Sequence, residues 1–387
     1  VPYIDQEQSN NFTSGIASGL EAGDDRVNYS ILIEDINKQG GILGRKLQPV
    51  FHRIDPSKSQ VQYEQEACTD FTQDRKVPFV LGVISPTLAR CLVDRGLAVI
   101  GEGGQINTKD YDGIRYWVQP SSVALDRLAA LQASEFTKMG LFRGDLPAKV
   151  GILFYDVPAY QRAEQVLVAG LKERGIQVVA EQAIRQAAST QDLPQSQTEV
   201  QSAVLKFKSL GVTHVVGVEI NAFLQGFFAL YGSQQNYYPR YGWTSNQVPT
   251  NVRAVVPARA LIGSVVLGFW PIFDTEVQSD YPAETTRCFT QLRGRGVKIT
   301  SGNQRSQAAV ACDAVRYLKA ALTAGGGTSR QDLVTGARAL GRSFSPAVGL
   351  ASVLPSGYGG GMAAVRPGAW SEDCDCFVYV GKSYPVR

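Results

Sequence analysis

Ile33-Glu34-Asp35-Ile36-Asn37-Lys38-Gln39-Gly40-Gly41-Ile42-Leu43-Gly44-Arg45-Lys46-Leu47 is the stretch whose reading decides the fold. Its first half ends a helix: Val27, Ile31 and Ile36 recur at helical spacing between Val27 and Gln39, and Gly40-Gly41 stops the run. A glycine at such a stop accepts the left-handed backbone that a helix end favours. A short strand is expected next, from Leu47 to Phe51. The glycines at 40, 41 and 44 superficially imitate a phosphate loop. A phosphate loop, however, follows a strand, opens a helix and ends in Lys-Ser or Lys-Thr. This stretch follows a helix and lacks that ending, so it is read as a cap and turn.

The same alternation runs outward from there. Ser57 with Gln60 reads as a capping box, opening a helix with Val61, Glu64, Cys68 and Phe71 on one face. Val77–Ile84 is a continuous apolar run of strand length, as in a buried parallel strand. A short helix from Thr87 to Arg95 and a strand from Leu97 to Ile100 follow. A second set begins with a helix at Leu125–Met139 and a strand at Val150–Phe154. Then come a helix at Tyr160–Arg174, a strand at Val178-Val179, and a helix opened by Ser196 with Glu199. A strand at Val212–Val218 and a helix at Ala222–Gln234 complete it. Strands separated by helices mean βαβ units and parallel sheets. The expected fold class is therefore α/β, with two doubly wound lobes. Farther on, Leu261–Phe269 reads as a strand and Ala283–Arg293, Arg305–Thr323 and Arg330–Leu340 as helices. Beyond Phe344 the chain is rich in Gly and Pro and ends in a strand at Cys376–Val380.

Bulk properties agree. A chain of 387 residues is long enough for about two domains. With 44% apolar and 19% charged residues, disorder is excluded. The net charge of +3 comes without a basic stripe, so no nucleic-acid partner is expected. No apolar run reaches the ~18–20 residues that cross a bilayer. Val1-Pro2-Tyr3-Ile4-Asp5 reads as the end of a strand rather than a signal peptide, which implies a mature or trimmed form. Six cysteines allow three disulfides in fifteen pairings, and point to an oxidising compartment.

Catalytic chemistry is hard to assemble from these residues. There is no Gly-x-Ser-x-Gly elbow and no His-Glu-x-x-His. His52 and His214 are the only histidines, and His214 lies inside an apolar strand, where a structural role is expected. The Cys374-x-Cys376 spacing is not that of a zinc knuckle. No enzyme activity, no metal and no cofactor are expected. What remains are polar groups after strands, where ligands bind in open α/β sheets. These are Ser85 and Thr87; Gly103, Gly104 and Gln105; Asp156 and Tyr160; Glu219 and Asn221; and Thr244, Ser245 and Asn246. Hydroxyls and backbone N–H groups suit a carboxylate or sugar oxygen, and a carboxylate suits an ammonium.

The opening string, with Asn37-x-x-Gly40-Gly41-Ile42-x-Gly44-Arg45 at its centre, resembles the first helix-and-turn signature of type I periplasmic binding proteins. The closest branch is the leucine/isoleucine/valine-binding proteins of ABC transporters. The likeness continues through Phe79-Val80-Leu81-Gly82 and Val150–Asp156 with Tyr160, and more weakly through Ala309–Ala321, so it spans nearly the whole chain. It implies two Rossmann-like lobes joined by three crossovers. The first lobe would be 1–120 plus 270–343, the second 121–269 plus 344–387, with the ligand between closing lobes. It also implies that Ser85, Thr87 and Gly103–Gln105 hold a carboxylate, with Tyr160 on the second lobe. The family's ammonium-binding glutamate aligns near Thr244 or Ser245, where no acid stands. Glu219 is then the nearest substitute.

From these readings the chain is expected to be a monomeric, extracytoplasmic solute-binding protein that delivers a small polar ligand, an amino acid or related acid or amide, to the membrane permease of an ABC transporter. The alternative is the extracellular ligand-sensing domain of a receptor or regulatory system. Cys68 lies late in one helix and Cys91 on the next, with one strand between. Helices on one side of a parallel sheet are neighbours, so this pair can reach the Cα spacing of about 5.5–6 Å that a disulfide needs. Cys288 is paired with Cys312, both on helices of the implied first lobe, and Cys374 with Cys376 by elimination.

Overall fold

The computed structural model describes residues 1–14, 20–101, 106–144, 147–187, 189–271, 281–350 and 360–386. The chain forms two compact units, Val1–Ala124 with Asp280–Ala363, and Leu125–Ser279 with Ala364–Val386. The fold class is α/β.

In the first unit, β1 (Pro2–Tyr3) pairs in parallel with β2 (His52–Arg53). β3 (Phe79–Val83), β4 (Ala98–Gly101) and β5 (Trp117–Val118) form a second parallel sheet in that order. The apolar run at 77–84 contains β3, whose Val80 and Val83 share one core with Val99, Phe71 and Leu92, while Ile84 beyond it is exposed. At Gly101, in β4, a Cβ would meet Trp117 Nε1 at 2.1 Å, so the close approach of that ring requires glycine. The disulfide Cys68–Cys91 ties the helix Gln60–Thr69 to the helix Pro86–Asp94, with 6.3 Å between Cα atoms. Cys288–Cys312 ties Ala283–Arg293 to the 24-residue helix Gly302–Gly325, at 6.1 Å.

The string that opened the argument closes on itself. Gly41 N–H donates to Ile36 O, and Ile42 and Arg45 exchange backbone hydrogen bonds. Asn37 donates to Leu47 O and accepts from Leu47 N, both at 2.7 Å, which clamps the turn to the helix end. A Cβ on Gly41 would meet Arg45 O at 2.0 Å, so this approach admits only glycine.

In the second unit, β6 (Lys149–Tyr155), β7 (Gln177–Ile184), β8 (His214–Val218), β9 (Arg240–Thr244) and β10 (Val265–Gly268) are parallel. β11 (Ala364–Ser371), β12 (Cys376–Tyr379) and β13 (Tyr384–Pro385) add antiparallel strands. The sheet order is β12-β11-β10-β9-β8-β6-β7, with β13 beside β11. The chain order reverses at β6, so the crevice between the carboxyl ends of β6 and β8 is a topological switch point. Cys374–Cys376 closes the turn into β12, at 5.2 Å between Cα atoms.

Several elements differ from the sequence reading. Residues 47–51 form no strand, and β2 starts at His52. The capping box is Ser59 with Gln62, because the Ser57 hydroxyl and N–H are already bound to Asp55 Oδ1. Val61 is exposed. Ser196 sits inside the helix Leu193–Ser209, whose start carries Pro194. Its hydroxyl donates to Arg185 O. Pro367 and Gly368 disguised β11, the central member of the antiparallel group. The chain passes to the second unit between Ala363 and Ala364, rather than near 344, because residues 344–348 are anchored in the first. Ala347 N–H and Val348 N–H both donate to the buried Asp313 carboxylate, and the Phe344 ring stands edge-on to Tyr317.

Candidate functional site

The switch-point crevice of the second unit is built from Tyr155 at the end of β6, Glu219 and Asn221 just after β8, and Tyr160. Tyr160, expected to open a helix, stands in the first turn of Pro158–Glu173. Tyr155 donates to Asn221 Oδ1 at 3.4 Å, and its ring lies edge-on to that of Tyr160 with centroids 5.2 Å apart. Tyr160 is 1% exposed, and its hydroxyl has no hydrogen-bond partner among the described residues. Such an orphan costs free energy unless something completes it. Burial, with the carboxyl of Glu219 nearby, pushes the Tyr160 phenol far up, so it can only act as a neutral donor or acceptor.

Glu219, expected to meet a ligand, is bonded within its own unit. It is 1% exposed. Its carboxylate accepts from Leu224 N–H at 2.8 Å, Gln225 N–H at 3.0 Å and the Gln247 side-chain amide at 2.9 Å. The two backbone donors belong to the open start of the helix Phe223–Gln234, and the carboxyl group they hold is closed to solvent. Burial pushes its carboxyl up to about 7, against the opposing pull of those donors. Thr244 and Ser245 are also internal. Thr244 N–H and hydroxyl reach Gln247 Oε1. Ser245 Oγ accepts from Phe269 N–H and Trp270 N–H, both at 3.0 Å, stitching the end of β9 to the end of β10. Both are at most 2% exposed. Asn246 is buried as well. Asn221 is exposed and caps locally, accepting from Phe223 N–H. Asp156 is exposed and accepts from Gln161.

In the first unit, Ser85 follows β3 and caps the helix Pro86–Asp94, its Oγ accepting from Thr87 N–H at 3.1 Å. Thr87 is exposed at the same strand end. Gly103, Gly104 and Gln105 lie outside the described residues. The sequence reading missed Tyr155 and Gln247. Tyr155 could have been found as the aromatic residue closing the apolar run of β6. Gln247 carried no local signal, because its role arises from meeting Glu219 across 28 residues.

The histidines are structural. His52 Nδ1 pairs with Asp70 at 2.9 Å. His214 is held neutral, pushed down to about 4 by burial and then by the nearby Arg240, and its Nδ1 meets the Thr213 hydroxyl at 2.8 Å.

The model of the periplasmic binding protein family matches residues 14–353, and the chain belongs to that family. No curated protein matches. Among solved structures, an ABC transporter substrate-binding protein from Desulfitobacterium hafniense in complex with Leu is 16% identical. The match covers 98% of this chain and 99% of that one, with a TM-score of 0.66. The leucine-binding protein LivK from Thermotoga maritima is 12% identical over 92% and 93%, with a TM-score of 0.67. A solute-binding protein of an ABC transporter from Rhodopseudomonas palustris, in complex with p-hydroxybenzoic acid, is 14% identical over 92% of each chain, with a TM-score of 0.69. At these identities the likeness establishes the type I fold and no ligand. No helix among the described residues is long and apolar enough to cross a membrane.

Proposed function

We propose that the chain is the extracytoplasmic solute-binding protein of an ABC transporter, handing a small polar solute to a membrane permease and leaving it chemically unchanged. The observation that carries this reading beyond family membership is the buried, unpartnered hydroxyl of Tyr160 at the β6/β8 switch point. A ligand oxygen placed there would complete it. Asn221, bonded to Tyr155, offers an exposed amide in the same unit. Because Glu219 is consumed as a helix cap, the ligand is read as an acid or amide recognised through its oxygens, with no requirement for an amine. Structures of this fold with Leu and with p-hydroxybenzoic acid make amino acids and aromatic carboxylates the first classes to try.

The test is a thermal-shift screen of amino acids, small aliphatic and aromatic carboxylates, amides and sugars, followed by calorimetry. A ligand at one hundred times its Kd stabilises the native state by about 2.7 kcal/mol, readily seen as a raised Tm. Deaminated analogues should bind as well as their parent amino acids. A strict requirement for the amine would overturn the reading of Glu219, and recovery of a chemically altered ligand would overturn the binding-protein assignment.

A further inference from the structure

A cavity lies in the first unit, at the amino ends of its strands. Its volume is about 540 Å³, inside the range of small-molecule sites. It opens beside residues 47–50, which precede β2, and residues 75–78, which precede β3. Ser85 and Thr87 follow the far end of β3. A five-residue strand separates the two places by on the order of 16 Å, so this cavity is not part of the strand-end site.

Its lining is divided by chemistry. The floor is apolar and buried: Ile33, Ile42, Phe71, Leu81, Leu318 and Leu322 are each at most 6% exposed. The rim carries Arg45, Lys46, Arg75 and Lys76, all exposed, and no acidic residue among the described ones lines the cavity. Arg75 reaches Asp70 Oδ1 at 3.4 Å. Among the described residues, Arg45, Lys46 and Lys76 have no acidic partner. Two features of the backbone hold the rim in place. Arg45 is locked into the Gly41–Leu47 turn by the mutual hydrogen bonds of Ile42 and Arg45. Lys76 adopts φ +50°, a conformation glycine takes more readily, just where the Asp70–Asp74 turn ends and Val77 N–H returns to Phe71 O. A lysine there is seated at the cavity mouth by the turn itself.

We propose that this cavity is a second binding site, which takes a small anionic amphiphile: a monocarboxylate with an apolar body of about eight to twelve carbons. The apolar body displaces water from the floor, and the carboxylate meets the basic rim. Neither part alone suffices, since a simple anion leaves the floor wet and an uncharged chain leaves the rim unpaired.

Calorimetric titration of the full chain with decanoate tests this, with acetate and decanol as the two half-ligands. Decanoate should bind, and acetate and decanol should not at the same concentrations. The double reversal Arg45→Glu/Lys76→Glu should weaken decanoate about tenfold or more, equivalent to about 1.4 kcal/mol, while Tm stays near that of the parent because both side chains are exposed. Tyr160→Phe should leave decanoate affinity unchanged, and the double reversal should leave the strand-end ligand unaffected, so failure here is separable from failure of the transport reading. Absence of decanoate binding would overturn the proposal. So would equal binding of acetate or decanol, or decanoate affinity that ignores the double reversal.

Discussion

Replacing Cys68 and Cys91 together by Ala should destabilise the first unit more than any surface change. The bridge closes 23 residues. In the chain-entropy model, cross-linking a loop of that length removes enough freedom from the unfolded chain to stabilise the native state by about 3.4 kcal/mol at 25 °C. Cys68 is 1% exposed and packs with Ala67, Phe71 and Leu88, so losing its sulfur adds about 1 kcal/mol of lost packing. The same arithmetic applies to Cys288–Cys312, which closes 24 residues. It predicts only about 1 kcal/mol for Cys374–Cys376, whose separation is 2. The assay is denaturant unfolding of the three double-Ala variants, each under oxidising conditions, with free energies from linear extrapolation. Slopes should steepen for the two long loops, because the uncrosslinked chain exposes more surface when unfolded. The reasoning fails if the Cys374/Cys376 variant loses as much as the others. It also fails if Cys68→Ala/Cys91→Ala costs under about 1 kcal/mol.

Three further outcomes follow from the buried polar groups. Glu219→Ala strands Leu224 N–H, Gln225 N–H and the Gln247 amide, so stability should fall by about 2–4 kcal/mol with ligand affinity nearly unchanged; a selective loss of affinity at full stability would reassign Glu219 to the ligand. Tyr160→Phe removes a buried hydroxyl that has no partner. It should leave stability within about 1 kcal/mol while weakening the strand-end ligand, as calorimetry would report. Burial pushes the Asp313 carboxyl up to about 6 from 3.8, despite its N–H donors and Ser121. A raised native value means the folded state holds the proton where the unfolded state has released it. Stability from this group is therefore present below pH 3.8 and lost as pH rises through 6, on the order of 3 kcal/mol in all. Asp313→Asn should flatten that part of the pH–stability curve, and an unaltered slope would assign it to other groups.

Local patterns carried the architecture because they are short-range. Helical spacing, the stop at Gly40-Gly41 and the apolar runs of β3, β4, β6 and β8 act within a few residues, and burial on both faces of parallel strands leaves an unmistakable apolar signature. The pairing of Cys68 with Cys91 was legible for a related reason, since neighbouring helices over a parallel sheet have little choice of partner. β11 stayed hidden because Pro367 and Gly368 look like a break, and only the strands on both sides of it show that a strand can pass there. The tertiary structure alone decided the roles of the polar residues. A carboxylate after a strand, such as Glu219, reads the same in sequence whether it faces a ligand or caps a helix. The difference lies in Leu224, Gln225 and Gln247 converging on its two oxygens, and in Tyr160 finding no such neighbours. The basic-rimmed cavity likewise joins Arg45, Lys76 and Leu318, which are distant in sequence and meet only when the helices close over the amino ends of the strands.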